Sequence, residues 1–426
     1  MNAPRHRSTH HNSNRSVGRW STTVAALLAV TLLGCATEEE AAKASGPFEE
    51  LHDQGLDRYI GVDEAVQASK EASVTTWTWP VKPDGASPGC LHGDPYRMAT
   101  RVSDDPTGKD NLVVFLQGGG ACWSDFCLAF DKAPAGVPAL DLFDTTNAKN
   151  PVATWNLAYL PYCDASFFLG DARHDDDNDG TLDRDHRGLR NLSAALTVIK
   201  KQFPSPKRIL LAGSSGGGYG LIMGMPLARM VWPNADILVM NDSGVGVAKP
   251  GDQWFVSQLL KEFGADVFIP KSCQDCTTNG HLTQVIAWTL RKDPTIRMAA
   301  FSTTRDFVIG SLFMQLESEV FEAALRSETK TLQDEFPGRY AAFLSDGQSH
   351  TVLLGDIAGF MAKDDEEEAE PPPGDKKPAG LDLSALAAFL GEWDVVNVDG
   401  VTFLDWFGAF INDTPAWSPL AVKPAS

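Results

Sequence analysis

Short apolar runs alternate with segments of helical spacing along the middle of the chain. Between two of these runs, Leu192, Leu196, Ile199 and Phe203 recur three or four residues apart, which is the spacing of an amphipathic helix. Apolar strands that alternate with such helices predict an α/β fold, with a mostly parallel sheet and helices on both faces. The apolar runs themselves predict strands at residues 112–116, 157–162, 209–212, 237–240, 298–301 and 340–344.

Polar and glycine-rich clusters follow these predicted strands, and the carboxyl ends of parallel strands meet at one edge of a sheet. The run that ends at Ala212 leads directly into Gly213-Ser214-Ser215-Gly216-Gly217, a G-x-S-x-G pattern followed by a second helical segment. Strand, sharp turn and helix in this order are typical of a nucleophile elbow, which would present the hydroxyl of Ser215 to a cleft. The alternative is an ordinary Gly-Ser turn.

A serine nucleophile needs a base to take its proton and an acid to orient that base. The chain order Ser, Asp, His of an α/β-hydrolase-like fold favours His350, on the loop after the last predicted strand. His281 is the alternative base, although no strand precedes it. Asp306, at the end of the strand before that loop, is the favoured acid, and Asp242 is the alternative acid on an earlier strand end.

A glycine-rich loop, Gln117-Gly118-Gly119-Gly120, follows the first predicted strand. The backbone N–H groups of Gly119 and Gly120, with that of Gly216 beside the nucleophile, would stabilise the negative oxygen that forms in acyl transfer. Neither a G-K-[ST] nor a G-x-G-x-x-G pattern accompanies the loop, so a phosphate-binding role is excluded.

The first 35 residues differ from the rest of the 426-residue chain. Several arginines precede an apolar run, 24–33, and the segment ends in Leu32-Leu33-Gly34-Cys35. A basic region, a short apolar region and a small residue before the cut predict a secretory signal. The cysteine resembles the lipobox of bacterial lipoproteins, which implies acylation of Cys35 and export to a membrane-anchored position. An ordinary signal peptide is the alternative.

The predicted domain organisation follows from the composition of the remaining segments. Hydrophobic residues make up 43% of the chain, which is enough for a packed core. A run of acidic residues followed by prolines cannot bury a core and predicts a disordered insertion. We expect a signal peptide at 1–35, a polar tether at 36–60, and a single catalytic domain at 61–426 that is interrupted by this insertion at 363–380.

Net charge and cysteine content limit which partners and which cellular compartment we expect. The formal net charge of −20 excludes nucleic acid as a partner and argues against a heavily de-esterified polyuronide as substrate. Six cysteines remain after Cys35, and an even number in an exported chain favours disulfides. The local spacings predict Cys122–Cys127 and Cys273–Cys276. The second pair forms a single C-x-x-C motif, which is only weak evidence for a zinc site.

An acidic loop, residues 175–183, has the spacing D-x-D-x-D-G-x-x-D. Calcium requires several oxygen ligands in a tight turn, and Gly180 permits that turn. The loop therefore predicts a structural calcium site, with a solvated acidic loop as the alternative. His186 stands where an EF-hand has glutamate, so the loop is at most a variant of that motif. The ligands would be Asp175, Asp177, Asp179, Asp183 and the carbonyl of Thr181.

The motifs together resemble the pectin acetylesterase and Notum family, in consistent order over roughly residues 75–410. The resemblance implies a triad of Ser215, Asp306 and His350, with Gly119, Gly120 and Gly216 as oxyanion donors. Gly216 stands where the family usually has alanine, and Gln117 where it commonly has an acidic residue; both changes leave the backbone donors in place. The motifs are Leu116 to Cys122, Tyr162-Cys163, Gly170-Asp171, Arg187 to Asn191, the elbow, Asp242 to Gly244, Ser302 to Asp306, Gly347 to His350 and Gly400 to Trp406.

These observations predict an exported, lipid-anchored and monomeric serine esterase that needs no cofactor for catalysis. Its substrate would be an acylated small molecule or polysaccharide, or another extracellular ester, from which it removes acetyl or other acyl groups. Three alternatives stay open: a catalytically inactive surface binding protein on the same scaffold, a lipid deacylase, and an amidase that uses the same triad.

Overall fold

A computed structural model describes residues 46–65, 67–82, 85–139, 141–353 and 389–424 of the chain. The predicted signal peptide, Cys35 and the insertion at 363–380 lie outside the described residues, as does the first part of the predicted tether. The described residues form one compact unit. Among the described residues, no helix is both long and apolar enough to span a bilayer.

A large mixed sheet runs through this unit, with ten strands among the described residues in the order β1-β2-β3-β7-β4-β10-β11-β12-β13-β16. Strands β7, β4, β10, β11, β12, β13 and β16 are parallel, whereas β1, β2 and β3 add an antiparallel edge next to β7. The sheet strands are β1 Gln67–Glu71, β2 Val74–Trp79, β3 Tyr96–Arg101, β4 Asn111–Leu116, β7 Asn156–Leu160, β10 Arg208–Ser214, β11 Asp236–Asp242, β12 Arg297–Thr303, β13 Tyr340–Ser345 and β16 Leu420–Ala421.

Three two-stranded ribbons, seven α-helices and three short 3-10 helices accompany the sheet in the described part of the chain, the 3-10 helices at Gly46–Phe48, Asp141–Phe143 and Asp266–Phe268. The ribbons are β5 Gly120–Trp123 with β6 Phe126–Ala129, β8 Ala172–His174 with β9 Arg184–His186, and β14 Asn397–Val398 with β15 Val401–Thr402. The helices are α1 Glu49–Asp53, α2 Gly188–Gln202, α3 Gly216–Val231, α4 Gln253–Glu262, α5 Thr283–Lys292, α6 Ser318–Glu335 and α7 Phe403–Ile411. A π-helix, Phe307–Phe313, follows Asp306.

The predicted α/β architecture is confirmed, with an uneven distribution of helices over the two faces. Successive side chains of a strand point to opposite faces, so Val114 packs with one core cluster and Phe115 with the other. Helices α2 to α6 contribute to the cluster of Val114. The opposite face is covered mainly by α7, whose aromatic side chains pack on Phe301 and Phe343.

The packed part of the chain includes residues expected in the tether. Phe48, Leu51 and Leu56 are all 0% exposed, and the ring of Phe48 lies 6.0 Å from that of Trp288. The side chain of Gln54 donates hydrogen bonds to the carbonyls of Val267 and Ile269. Because three apolar side chains are spread among charged residues here, the segment has the composition of a linker although it packs as part of the body.

Candidate active site

Ser215 lies between β10 and α3 in a strained backbone conformation, with φ 53° and ψ −122°. For a residue with a side chain, this conformation costs of the order of 1–3 kcal/mol and is found mostly at functional sites. Close backbone packing explains the surrounding glycines: a Cβ on Gly217 would lie 2.1 Å from the carbonyl oxygen of Leu116. The amide of Ser215 donates to the carbonyl of Asp242 at 2.8 Å. The sequence around Ser215 therefore folds as an elbow.

Asp306 and His350 are brought together from the loops that follow β12 and β13. Nδ1 of His350 lies 2.8 Å from Oδ2 of Asp306, and both residues are buried. The second oxygen, Oδ1, accepts the amide of Ile309 at 3.0 Å, so the N-terminus of the π-helix holds the carboxylate in place. Nε2 of His350 is buried and has no hydrogen-bond partner among the described residues. The imidazole is thus oriented by Asp306 and leaves one nitrogen available.

The loop that carries His350 is fixed on the β12 side by backbone contacts. The amide of Arg305 donates to the carbonyl of Gly347 at 3.0 Å, and the amide of Phe307 to the carbonyl of Gln348 at 3.2 Å. In the part of the chain that the structure describes, no hydrogen bond joins the hydroxyl of Ser215 to His350. In enzymes without substrate this contact is often long, and it shortens when substrate binds.

Asp242, the alternative acid, contacts the backbone after His350 and makes no hydrogen bond to its ring. The buried carboxylate accepts the hydroxyl of Ser214 at 2.6 Å and the amides of Val352 and Leu353 at 3.0 and 2.9 Å. Burial raises the pKa of this carboxyl to about 6. Asp242 and Asp306 therefore have different surroundings, and the histidine ring pairs with Asp306.

His281, the alternative base, has a partner elsewhere in the fold. Its Nδ1 accepts the amide of Ala248 at 3.0 Å, and its side chain is buried. Burial lowers its pKa, which favours the neutral ring that this acceptor role requires. Its nearest polar surroundings include Glu328, which accepts hydrogen bonds from Thr283 and Asn279. The structure does not bring His281 to Ser215.

The glycine loop after β4 lies directly against the elbow. A Cβ on Gly118 would be 2.6 Å from the Cβ of Ser215, and one on Gly216 would be 3.1 Å from the carbonyl oxygen of Gly120. The amide of Gly119 donates no backbone hydrogen bond among the described residues. Gly120, with φ 83°, begins the ribbon β5–β6 and pairs with Ala129. Gly119, Gly120 and Gly216 are therefore neighbours at the site.

Aromatic side chains surround the glycine loop, and the sequence singled out only Tyr162 among them, as part of a motif and without this role. A Cβ on Gly119 would meet the rings of Phe130 and Tyr162 at 2.5 and 2.7 Å. The hydroxyl of Tyr162 accepts the amide of Phe167 at 2.9 Å, and Phe167 stacks on Tyr219. Phe167 has φ 60°, which is uncommon for a bulky residue. No local pattern indicates this placement, because these rings come from three separate segments: the residues after β6, the loop after β7, and helix α3.

Three disulfides are present among the described residues, and two of them are the predicted local pairs, Cys122–Cys127 and Cys273–Cys276. The third joins Cys90 to Cys163 across 73 residues. The sequence contained a signal for it, because the two local pairs leave these two cysteines. Disulfides of this kind are typical of exported proteins.

The acidic loop between β8 and β9 gathers part of the predicted ligand set. Carboxylate oxygens of Asp175, Asp177 and Asp183 all lie within 4.8 Å of one another. Asp179 is outside this group, and its Oδ1 accepts the amide of Thr181 at 2.7 Å. These three carboxylates are the residues that could hold a cation, and their hard oxygen atoms suit calcium.

Comparisons with known proteins cover the first part of this site. A family model described as pectinacetylesterase matches residues 90–279, which include the glycine loop and Ser215. The zebrafish (Danio rerio) protein named palmitoleoyl-protein carboxylesterase notum1a is 24% identical over 223 residues, or 48% of this chain and 39% of that protein. The chain thus aligns with well under two thirds of its relative, and Asp306 and His350 lie beyond the family match. Residues 90–279 are therefore similar to the pectinacetylesterase family, and part of the chain is similar to the zebrafish carboxylesterase.

Proposed function

We propose that this protein is a serine carboxylesterase in which Ser215 is the nucleophile, His350 the general base and Asp306 the acid that orients the base. The observation that carries the proposal is the buried Asp306–His350 pair, with an Oδ2–Nδ1 distance of 2.8 Å and an unpartnered Nε2. A histidine held in this way presents Nε2 as a proton acceptor. The strained elbow and the glycine loop beside Ser215 support the same assignment.

The proposed reaction follows from these positions. The hydroxyl of Ser215 attacks the ester carbonyl carbon while Nε2 of His350 takes its proton, and Asp306 stabilises the resulting imidazolium. Backbone amides of Gly119, Gly120 and Gly216 would donate to the oxygen that becomes negative; one such donor typically contributes 10²–10³-fold in rate. The proton then passes to the leaving alcohol, and water, deprotonated by His350, releases the acid from Ser215.

The substrate we propose is an extracellular ester that carries an acetyl or another acyl group, on a polysaccharide or a comparable alcohol. The match to the pectinacetylesterase family supports an acylated substrate, and the name of the zebrafish relative refers to a palmitoleoyl group on a protein. Activity against p-nitrophenyl esters from acetate to palmitate would separate an acetylesterase from a lipid deacylase, and matching anilides would reveal an amidase.

The first experiment compares the protein that begins near Ala36 with its Ser215→Ala and Asp306→Asn variants on p-nitrophenyl acetate. Loss of the nucleophile should lower kcat by at least about 10³-fold, and loss of the orienting carboxylate by about 10³–10⁴-fold. Ser205→Ala, at an exposed loop position, is the matched serine control and should keep full activity. Turnover by the Ser215→Ala variant at the wild-type rate would reject the triad. A folded wild type that turns over no ester and resists phosphonate labelling would favour an inactive binding protein.

We also propose that the loop of Asp175, Asp177 and Asp183 binds a structural calcium ion, with Asp179 and the Thr181 carbonyl as further ligands. A cation that binds only the folded state raises the apparent stability. Calcium at about 100 times its Kd should raise the free energy of unfolding by about 3 kcal/mol, and Asp183→Asn should abolish the shift. Asp104→Asn is the control on a separate loop. An unchanged Tm in the wild type would argue for a solvated acidic loop.

We further propose that the protein is exported and monomeric, and that Cys35 becomes its acylated N-terminus. The three disulfides among the described residues support an oxidising compartment. In a bacterial host, Cys35→Ser should move the protein from the membrane fraction to the soluble fraction. An unchanged distribution would count against the lipid anchor.

A further inference from the structure

The end of β11 touches both halves of the proposed catalytic machinery. In the parallel register between β10 and β11, Asp242 lies opposite Ser214, and its carbonyl accepts the amide of Ser215 at 2.8 Å. Its carboxylate contacts the residues that follow His350. Asp242 therefore contacts the backbone of the nucleophile and the segment of the base at the same time.

The segment after His350 donates three consecutive amides to this strand end. Thr351 donates to the hydroxyl of Ser243 at 3.1 Å, Val352 to the Asp242 carboxylate at 3.0 Å, and Leu353 to the same carboxylate at 2.9 Å. All of these groups are buried. A buried N–H that loses its acceptor costs more free energy than the hydrogen bond contributes when it is made. These contacts therefore specify one position for the backbone of residues 351–353.

The two sides of the His350 loop are held by different strands. Residues 347 and 348 accept amides from Arg305 and Phe307, next to Asp306, whereas residues 351–353 donate to Asp242 and Ser243. The first set fixes the loop relative to the acid. The second set fixes it relative to β10 and β11, and so relative to Ser215. Proton transfer depends on this second relationship, because a displacement of about 1 Å can reduce a rate by about 10²-fold.

We propose that Asp242 is a positioning residue: its carboxylate holds residues 351–353 on the strand that supports the elbow, and so sets the position of His350 relative to Ser215. This inference rests on the proposed esterase function. The full burial of Asp242 suits the role, because a carboxylate that accepts three donors away from water has little freedom to move. The raised pKa of the Asp242 carboxyl, about 6, reflects the same burial.

The test is Asp242→Asn, which replaces one acceptor oxygen by an NH₂ group facing amide donors. We expect kcat to fall about 10–100-fold with KM changed less than about threefold, because binding groups stay in place while proton transfer is misaligned. Rates are expressed per active serine, counted by labelling with a fluorophosphonate. The peptide that covers residues 349–353 should exchange its amide hydrogens at least about tenfold faster, which measures the contact without activity.

The matched control is Asp293→Asn, at a buried carboxylate before β12 and therefore at the opposite end of the sheet. Asp293 accepts Nε of Arg229 at 2.6 Å, so its variant should lose stability while kcat per active serine and exchange at 349–353 stay unchanged. If Asp242→Asn does not fold, Ser243→Ala removes the Thr351 contact alone and should give the same pattern, at about 3–10-fold in kcat.

The outcomes separate the two proposals. If the wild type turns over ester and is labelled, and Asp242→Asn has the same kcat as the wild type, the positioning role is overturned. The esterase proposal then stands, whatever the exchange rate. A parallel loss of kcat and exchange protection in the Asp293→Asn control would also overturn the positioning role, since a general loss of stability would then explain the data. Absence of wild-type turnover and labelling would remove the esterase and the positioning role together.

Discussion

Both oxygens of the Asp306 carboxylate have defined partners, the amide of Ile309 and Nδ1 of His350. The main-chain amide of His350 donates to the carbonyl of Phe389, so backbone and ring are both held. At the scale of single residues, Asp306 and Nδ1 of His350 are thus buried and hydrogen-bonded, whereas Nε2 of the same ring has no partner among the described residues. Such preorganisation lets the ring accept a proton without a costly rearrangement.

A further buried histidine, His186, lies outside the site and should control stability in acid. Nδ1 of His186 lies 3.0 Å from the carbonyl oxygen of Asp164, and the ring packs against Phe263. Burial lowers its pKa to about 4 from an ordinary value of 6.5. Between these values the unfolded chain binds a proton that the folded chain does not, so the free energy of unfolding decreases as the pH falls from 6.5 towards 4.

His186→Asn should remove this part of the pH dependence, because the amide of asparagine can still donate to the Asp164 carbonyl but does not titrate. Over this pH range, the free energy of unfolding of the wild type should fall by up to about 3 kcal/mol more than that of the variant. Urea unfolding at pH 7, 5.5 and 4.5 measures the difference. Equal slopes of the free energy of unfolding against pH for the two proteins would show that the pKa of His186 is the same in the folded and the unfolded chain.

At the scale of elements, the site depends on loops that are tied to one another. The Cys90–Cys163 disulfide joins the loop before β3 to the loop after β7, and the amide of Leu91 donates to the carbonyl of Cys163 at 2.8 Å. The residues just after Cys163 include Phe167, whose ring lies beside Gly216. This disulfide therefore supports the aromatic surroundings of the glycine loop as well as the fold.

Removal of this disulfide should destabilise the protein more than removal of a local one. The Cys90–Cys163 pair closes 73 residues, against 3 for Cys273–Cys276. Chain entropy predicts a loss of about 4 kcal/mol for the long loop and less than half of that for the short one. Chemical unfolding of the two double Cys→Ala variants tests the order. A larger loss at Cys273–Cys276 would contradict the entropic argument.

At the scale of the whole molecule, the segment before β1 is bound to the body along its length. The hydroxyl of Tyr59 donates to Asp171 at 3.0 Å, and Arg190 pairs with the buried Asp63 at 2.6 Å. Together with Phe48, Leu51 and Leu56, these contacts attach the segment to several parts of the body. The segment thus contributes to the stability of the fold.

Truncation tests this contribution directly. A protein that begins at residue 61 lacks three side chains that are 0% exposed, Phe48, Leu51 and Leu56. Burial of each is worth about 1.5–3 kcal/mol, which makes roughly 5–9 kcal/mol an upper estimate of the loss. Urea unfolding should show a much lower midpoint than for a protein that begins at residue 46. Equal midpoints would mean that the segment only lies on the surface.

Several features could be predicted from the sequence because they depend on neighbours along the chain. The apolar runs correctly identified six strands of the sheet, β4, β7 and β10 to β13. The G-x-S-x-G pattern after Ala212 identified the elbow. The antiparallel strands β1 to β3 were missed. Their sequences mix threonine, lysine and arginine with few aliphatic residues, and edge strands need no continuous apolar run.

The sequence by itself determined the α/β class, the edge of the sheet where the site lies, and the residue types available there. Hydrophobic periodicity and turn chemistry are local, so a single chain states them without knowledge of its fold. Only the tertiary structure decided that Asp306 meets the ring of His350 while Asp242 meets the backbone of Val352 and Leu353, and that Cys90 meets Cys163. Both aspartates follow a strand, and their roles differ because strand order and loop path bring distant residues to different atoms of the same histidine segment.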